Sequence, residues 1–516
     1  MSAAPVYDVA IVGSGPTGGY AAKVLAEAGL NVIVLDAGRP RAETRARLAV
    51  DTMRRRLGYR IEHDPAAIRR QPVQSACYAW PMHPHAFVDD LDNPYTTEPR
   101  QPFVWLRSRH VGGRMIVRRH GLQFYRFSER DFTAGDLDGA SPSWPISYAD
   151  LVPYYARLER WMGIRGSVDR LPQLPDSVLA RETDLNEGEQ LLRAGLARTA
   201  RDRCLIPGRT SASVFPLRDA LATFRCTLRT NAVVSRILVD PRTANVSGVA
   251  YVHRVTKRVD EIHARVVVLC ASSIESARLL LASATPQHPE GLANSSGAVG
   301  RYLMDHTHVT GIRGTMPLHR PVATPSWAYV PCFRNVAARH GAFLRGYGMQ
   351  VFTMWRECAV TAFGEMLPHA DNRVTIDRDR TDRWGVPIAH IACSHRENEL
   401  AMVADQIDAC TDLLESAGIE ADRSGARLSH AGIACHEVGT ARMGRDPRSS
   451  VLNQFCQSWD VRNLFVMDGS CFVTQAVQNP TLTMMAIAGR SCDYLIEACR
   501  RGELEGGPGG PPSGAT

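Results

Sequence analysis

The residues with the most capacity for chemistry stand at opposite ends of the chain. Near the start, Gly13, Gly15 and Gly18 follow G-x-G-x-x-G spacing, with Pro16 and Thr17 between them. In such a turn the first glycine permits a tight bend, the second lets backbone N–H groups approach a pyrophosphate, and the third lets helix and strand pack closely. Asp36 comes 18 residues after Gly18, where a carboxylate can accept hydrogen bonds from ribose hydroxyls. Near the other end, His436 precedes Gly439-Thr440, and Asn479 precedes Pro480-Thr481. Taken singly, His436 reads equally well as a packed histidine in a turn. Asn479 reads as the N-cap of a helix with proline in its first turn. The glycine turn alone does not choose between NAD and FAD.

The elements needed to place these residues are legible. Residues 7–12 read as a buried parallel strand, 16–28 as an Ala/Gly-rich helix stopped by Gly29, and 31–35 as a second strand. Strand, glycines, helix, strand and acid in that order predict a Rossmann-type unit with dinucleotide phosphates at the helix N-terminus. Residues 227–230, 233–239, 247–254 and 265–270 read as strands, and the last runs into a small-residue turn opening a helix at 271–280. A strand at 461–467 ends in Asp468-Gly469-Ser470, and a helix runs from Pro480 through Ile496. This return to a strand-turn-helix pattern far along the chain predicts a nucleotide domain built from discontinuous segments.

The expected architecture is therefore α/β. A Rossmann-type domain takes 1–140, 205–308 and 430–500, with a lid-like insertion at about 41–105. An α+β substrate domain with an antiparallel sheet takes 141–204 and 309–429, and the Gly/Pro-rich 501–516 is expected to be a disordered tail. Within the insertion, 41–71 is Arg-rich and helical, and 77–85 is too aromatic for a linker. A turn from Pro142 leads into an amphipathic helix at 148–162.

Composition narrows the function classes. The 516 residues are 44% hydrophobic and 22% charged with a net charge of +7, ordinary for a globular protein of more than one domain. The arginine-rich stretches accompany no nucleic-acid motif, so a solvated helix face is the simpler reading and no nucleic-acid partner is expected. No apolar run is long enough to span a membrane. The thirteen cysteines lack C-x-x-C spacing and no secretory signal is evident, so reduced thiols and a cytoplasmic location are expected. His83 and His85 have no third ligand in prospect, so no metal is expected.

Further motifs give these ends a common setting. They are Gly112-Gly113, Ser273-Ile274-Glu275-Ser276 with Arg278-Leu279-Leu280, and the run from Val299 to His306. With the glycine turn and Asp36, with His436-x-x-Gly439-Thr440, Asp468-Gly469-Ser470 and Asn479-Pro480-Thr481-Leu482-Thr483, the whole order resembles the glucose-methanol-choline (GMC) flavoprotein oxidoreductases. The resemblance implies FAD and an active-site pair: the histidine of H-x-x-G-T and a histidine or asparagine 43 residues later, here His436 and Asn479 (479 − 436 = 43). The asparagine variant resembles the branch of pyranose oxidases, glycoside 3-dehydrogenases and the flavoprotein subunits of gluconate and fructose dehydrogenases.

The resemblance also implies places for other residues. Val233 would lie beside the adenine, Ser272 and Ser273 near the adenosine half, and Asp468 and Gly469 beside the pyrophosphate and ribityl chain. Some relatives link FAD to a histidine after the Gly-Gly turn; this chain reads Arg119-His120-Gly121-Leu122 there, so FAD is expected to be non-covalent, with His120 the position to check. The implied reaction oxidises a secondary alcohol, at carbon 3 or 2 of a sugar or glycoside, by hydride transfer to flavin N5. His436, with an ordinary histidine pKa near roughly 6.5, is the base, and Asn479 donates to the substrate oxygen. Tyr78, Trp80 and Phe87 would suit stacking on a sugar face.

Three alternatives stay open: an amino-sugar or natural-product alcohol as substrate, a flavoprotein subunit of a membrane-linked sugar dehydrogenase complex, and a flavin-binding protein without alcohol chemistry. Oxygen or a quinone-type molecule is the expected electron acceptor, and homo-oligomerisation is left open.

Overall fold

The computed structural model describes residues 7–116, 122–200, 202–211, 215–333 and 342–504. Two sheets organise them. The first has a parallel core because its strands are joined through helices: Tyr7–Val12 leads through the helix Pro16–Glu27 to Val32–Leu35. These strands pair in parallel with Val12 opposite Leu35, and on the other side Val12 lies opposite Leu269 of the strand Val259–Leu269. Leu464–Val466 adds a further parallel strand beside Leu269, and Cys226–Arg229 closes the far edge beside Val32–Leu35. Val9, Ala10, Ile11 and Val32 to Val34 are fully buried, as expected for strands covered on both faces.

The carboxyl ends of these strands share one edge, where α/β sheets bind ligands. Gly13 follows Val12, Asp36 follows Leu35, Ser272 lies just past Leu269, and Asp468 just past Val466. One edge of one sheet thus gathers four of the predicted site residues from positions more than 450 residues apart in the chain.

The second sheet is antiparallel, in the order Arg427–Leu428, Thr307–Thr315, Glu357–Gly364, Tyr347–Trp355, Val322–Phe333, Ile206–Pro207. Successive side chains alternate between its faces. Val309, Met349, Val351, Val360 and Ala362 pack under the helices Glu187–Thr199 and Glu397–Ser416, together with Met402, Leu413 and Leu414. Their neighbours in sequence, His308, Thr310, Gln350, Phe352, Thr361 and Phe363, point the other way and line the large cavity between the sheets. The alternation that builds this core therefore also builds one wall of the cavity.

The helix Tyr148–Met162 begins where it was expected, with Ser147 and Asp150 forming a capping box and Gly163 closing it at φ 62°. It packs on the C-terminal helix Thr481–Arg500, where Tyr155 and Thr483 share a hydroxyl hydrogen bond of 2.8 Å. The insertion holds the helices Arg41–Arg56 and Pro65–Arg70 and a small core of its own around Trp80, Met82 and Phe87. Trp80 is fully buried there and donates to Gln71, so it does not stack on a substrate as its type had suggested. His85 sits 3.3 Å from Asp51.

Two strands differ from their sequence reading by more than one residue at an end. Val259–Leu269 starts six residues early because its polar first half, with Asp260, Glu261 and His263, pairs antiparallel with Val246–His253 as a ribbon outside the parallel core. The strand expected over 461–467 is trimmed to Leu464–Val466, because Val461 accepts from Leu464 in a turn. Residues 505–516 of the expected tail lie outside the described residues. No described helix is long and apolar enough to cross a membrane.

Leu414 is fully buried between the helix Glu397–Ser416 and the antiparallel sheet, whereas Leu400 on the same helix is half exposed. Leu414→Ala should cost about 2–5 kcal/mol and lower the apparent melting temperature in scanning fluorimetry. Leu400→Ala should leave it nearly unchanged.

Candidate active site

A cavity of about 1050 Å³ runs along the carboxyl edge of the parallel sheet and under the antiparallel one. Drug-sized ligands occupy pockets of about 300–1,000 Å³, and this cavity stands at the upper end of that range, as a large cofactor requires. Its lining contains Gly13, Gly15, Pro16, Thr17, Asp36, Gly113, Val233, Ser272, Asp468, Gly469, Asn479, Pro480, Thr481 and His436. Gly18 and Gly112 are absent from the lining.

The three turn glycines divide into two kinds. Gly13 has φ +99°, and a Cβ there would lie 2.3 Å from the Cys270 carbonyl oxygen; on Gly18 it would lie 2.0 Å from the Gly13 oxygen. Both are demanded by backbone packing. Gly15 has no atom within 4 Å of its would-be Cβ, so its missing side chain leaves room for a ligand. The helix behind it starts with Pro16 and carries no acidic residue in its first turn, leaving its N-terminal dipole available to an anion. Asp36 accepts from the Ser14 hydroxyl and N–H through one oxygen and from Gly38 N–H through the other. The Ser14 hydroxyl in turn accepts from Gly112 N–H at 3.0 Å, and the φ of +96° at Gly112 is what favours glycine there although it does not line the cavity. These features fit a dinucleotide pyrophosphate and ribose.

Ser272 adopts φ 81° and ψ 155°, a region costly for a residue with a side chain. Its N–H donates to Asp468 at 3.0 Å, and Asp468 also accepts from Ser276 and from both the N–H and hydroxyl of Ser470. Asp468 is thus a clamp on the backbone around the cavity, and burial pushes its carboxyl above the usual range.

At the far end, His436 keeps part of its surface open to the cavity and is otherwise enclosed. Its Nε2 lies 3.1 Å from Asn479 Nδ2, and its Nδ1 lies 2.8 Å from His306 Nδ1. Asn479 Oδ1 accepts from Gln350 Nε2 at 3.0 Å. The helix N-cap position belongs to Pro480, and Asn479 makes no cap bond, so the capping role that its sequence context suggested does not hold. Burial, with the His306, Arg114 and His308 side chains beside it, holds His436 well below the usual histidine range. Among the described residues no carboxylate side chain bonds the ring, so nothing offsets its burial and its basicity falls below the ordinary value expected from sequence.

The carboxylates lining the cavity are already engaged. Glu437 holds Arg114 at 2.6 Å, Glu275 holds Arg109 and Arg278 at 2.7 and 3.0 Å, and Asp36 and Asp468 are committed as above. Trp327 and Phe352, with ring centroids 5.0 Å apart, give the antiparallel wall an aromatic face, while exposed Tyr78 and buried Phe87 line the opposite side with the insertion. Sequence reading missed Gln350, Trp327, Phe352 and His308, whose signal was the strand alternation around them. It noted His306 within a motif but gave it no role. His120 lies outside the described residues.

Two GMC oxidoreductase family models match residues 182–308 and 368–488, and an FAD binding domain model matches residues 6–57. The chain is 29% identical to 2-methyl-1,2-propanediol dehydrogenase of Mycolicibacterium austroafricanum, over 95% of both chains. It is 27% identical to paromamine 6'-oxidase of Streptomyces fradiae, over 94% of this chain and 90% of the relative. In fold it resembles pyridoxine 4-oxidase from Mesorbium loti, with a TM-score of 0.60 at 19% identity, covering 95% of this chain and 99% of that one.

The division among the glycines is testable by replacing each with valine. Gly15→Val should fold normally by circular dichroism and lose its bound yellow cofactor, whereas Gly18→Val, driven against the Gly13 carbonyl, should lose stability whether or not cofactor is supplied.

Proposed function

The chain belongs to the GMC oxidoreductase family and is an FAD-dependent alcohol oxidoreductase, and on that premise we propose that it oxidises a ring hydroxyl, at carbon 3 or 2, of an uncharged sugar or glycoside. The observation that carries this reading is the contact of His436 with Asn479 in the same cavity as the glycine turn. FAD would be held non-covalently by the lining residues Gly13 to Thr17, Asp36, Val233, Ser272, Asp468 and Gly469. When bound, the flavin supplies the hydride acceptor.

The protein must then take the hydroxyl proton and hold the oxygen as charge develops on it. A neutral imidazole does the first. His436 stays neutral at working pH because burial and the absence of an ion-pairing carboxylate disfavour its cation. Asn479 does the second: its amide N–H donates to the same oxygen, and it cannot take a proton itself. Gln350 holds the amide the right way round by donating to Oδ1, which leaves Nδ2 facing His436.

The walls favour an uncharged substrate. Trp327 and Phe352 suit the C–H faces of a sugar ring. An ammonium group would need a free carboxylate, and among the described residues each carboxylate lining the cavity is already hydrogen-bonded or ion-paired, while exposed Arg427 adds a positive charge. Burial also holds His308, on the same wall, down to about 4, so it is neutral.

His436→Ala should keep FAD bound and lose about 10²–10⁴-fold in the rate of anaerobic flavin bleaching by substrate. Asn479→Ala should lose about 10²–10³-fold. Unchanged bleaching in His436→Ala would remove the base assignment. Because only the neutral ring can act as base and its pKa is depressed, activity falls as pH drops through that lowered value. The kcat/KM profile should therefore be level through neutrality, with its acid limb well below the ordinary histidine range. In a panel of neutral glycosides and aminoglycosides, the neutral compounds should bleach the flavin, and readmission of air then distinguishes oxygen from a quinone-type acceptor.

A further inference from the structure

His436 can serve as base only if its proton sits on Nδ1 and its Nε2 lone pair faces the cavity, and the side chain that faces Nδ1 is His306. His306 is fully buried, at the entrance to the strand Thr307–Thr315. Its Nε2 lies 2.8 Å from the Ala476 carbonyl oxygen, and its Nδ1 lies 2.8 Å from His436 Nδ1. A carbonyl oxygen only accepts, so His306 Nε2 must carry a proton. A neutral imidazole carries one proton, so His306 Nδ1 is then an acceptor. His436 Nδ1 must donate to it, and Nε2 of His436 is left with its lone pair.

We propose that His306 is a positioning residue that fixes His436 in the Nδ1–H tautomer, through a one-way series of hydrogen bonds anchored on the Ala476 carbonyl. The inference rests on the assignment of His436 as base. The series runs from Gln350 to Asn479, from Asn479 to Nε2 of His436, from Nδ1 of His436 to His306, and from His306 to Ala476, each group donating to the next. Gln350 and Asn479 carry no charge, and burial favours the neutral form of both rings. A substrate hydroxyl entering between His436 and Asn479 donates to the first and accepts from the second, so the order of donors is kept. When the proton moves to His436 Nε2, Nδ1 keeps its own proton and its bond to His306. The hydride leaves the same carbon for the flavin, which balances the oxidation of alcohol to carbonyl.

Among the described residues, the charged and titratable groups around His436 are few. His306, His308 and Arg114 face it, Glu437 is tied to Arg114, and Asp305 accepts from the His436 backbone N–H at 2.9 Å. Among the described residues no carboxylate accepts from the ring, so His306 sets the tautomer at Nδ1, and Asn479, donating to Nε2, acts in the same sense.

Asparagine and glutamine separate the two ends of His306. In His306→Gln the amide can still reach the Ala476 carbonyl, but the acceptor for His436 Nδ1–H is lost; in His306→Asn the amide oxygen takes the place of Nδ1. The holoenzyme variants are compared by flavin content, anaerobic bleaching rate and pH profile. The Gln variant should keep FAD and substrate affinity and lose at least about 10²-fold in kcat, with the acid limb displaced, because an unanchored ring populates the other tautomer. The Asn variant should regain at least tenfold over Gln.

A Gln variant with wild-type kcat and an unmoved pH profile would overturn the proposal, as would equal losses in Gln and Asn with FAD retained. If either variant loses FAD, His306→Leu and a His436 ring-nitrogen NMR spectrum of the wild-type holoenzyme decide it: protonated Nε2 in the resting enzyme overturns the assignment, and protonated Nδ1 supports it. Turnover surviving in His436→Ala would instead indicate that the base is elsewhere, a failure of the functional reading distinguishable from a failure of the tautomer lock.

Discussion

The site depends on a dipeptide that ties the two sheets together. Asp305 and His306 lie at the entrance of the strand Thr307–Thr315, between the sheet that forms the substrate wall and the loop that carries His436. Met304 and Val438 exchange backbone hydrogen bonds at 3.0 Å in each direction. Asp305 receives Gly432 N–H on one oxygen at 2.7 Å and His436 N–H on the other at 2.9 Å. His306 then takes the ring of His436 itself. Three consecutive residues thus fix the backbone, the peptide plane and the imidazole of His436. Burying a carboxylate and two histidines together is costly unless each is hydrogen-bonded, and here each is. The Asp305 carboxyl is pushed above its usual range by burial and by Glu437, and its two N–H donors oppose that rise.

Much of the cofactor half was legible because its geometry is local. Glycine spacing, a strand on either side and an acid after the second strand lie within thirty-six residues, and each has a steric or hydrogen-bonding reason that periodicity exposes. The substrate half was less legible because its residues meet only through sheet pairing. Gln350 reaches Asn479 across 129 positions and His306 reaches His436 across 130. Alternation told which face of a strand was apolar, but what the polar face looks onto is set by the neighbouring sheet. Asn479 shows the limit in one residue: local rules made it a cap, and a long-range partner took its side chain instead.

The pattern of charge joins basicity to substrate choice. A carboxylate behind His436 would raise its pKa and stabilise its cation, as in a His-Asp pair. A free carboxylate near it would also draw cationic substrates. Among the described residues there is neither: the carboxylates near the ring are bound to Arg114 or to backbone N–H groups, and a histidine stands where an acid could have been. On the proposed reading, the base is consequently weak but uncharged over a wide range of pH. A weak base suits a reaction in which hydride departs as the proton moves, because the alkoxide need never form as a free anion. Low basicity at His436 comes first from its burial, and the exclusion of unpaired negative charge from that end of the cavity both leaves the burial unopposed and keeps the wall free of acid.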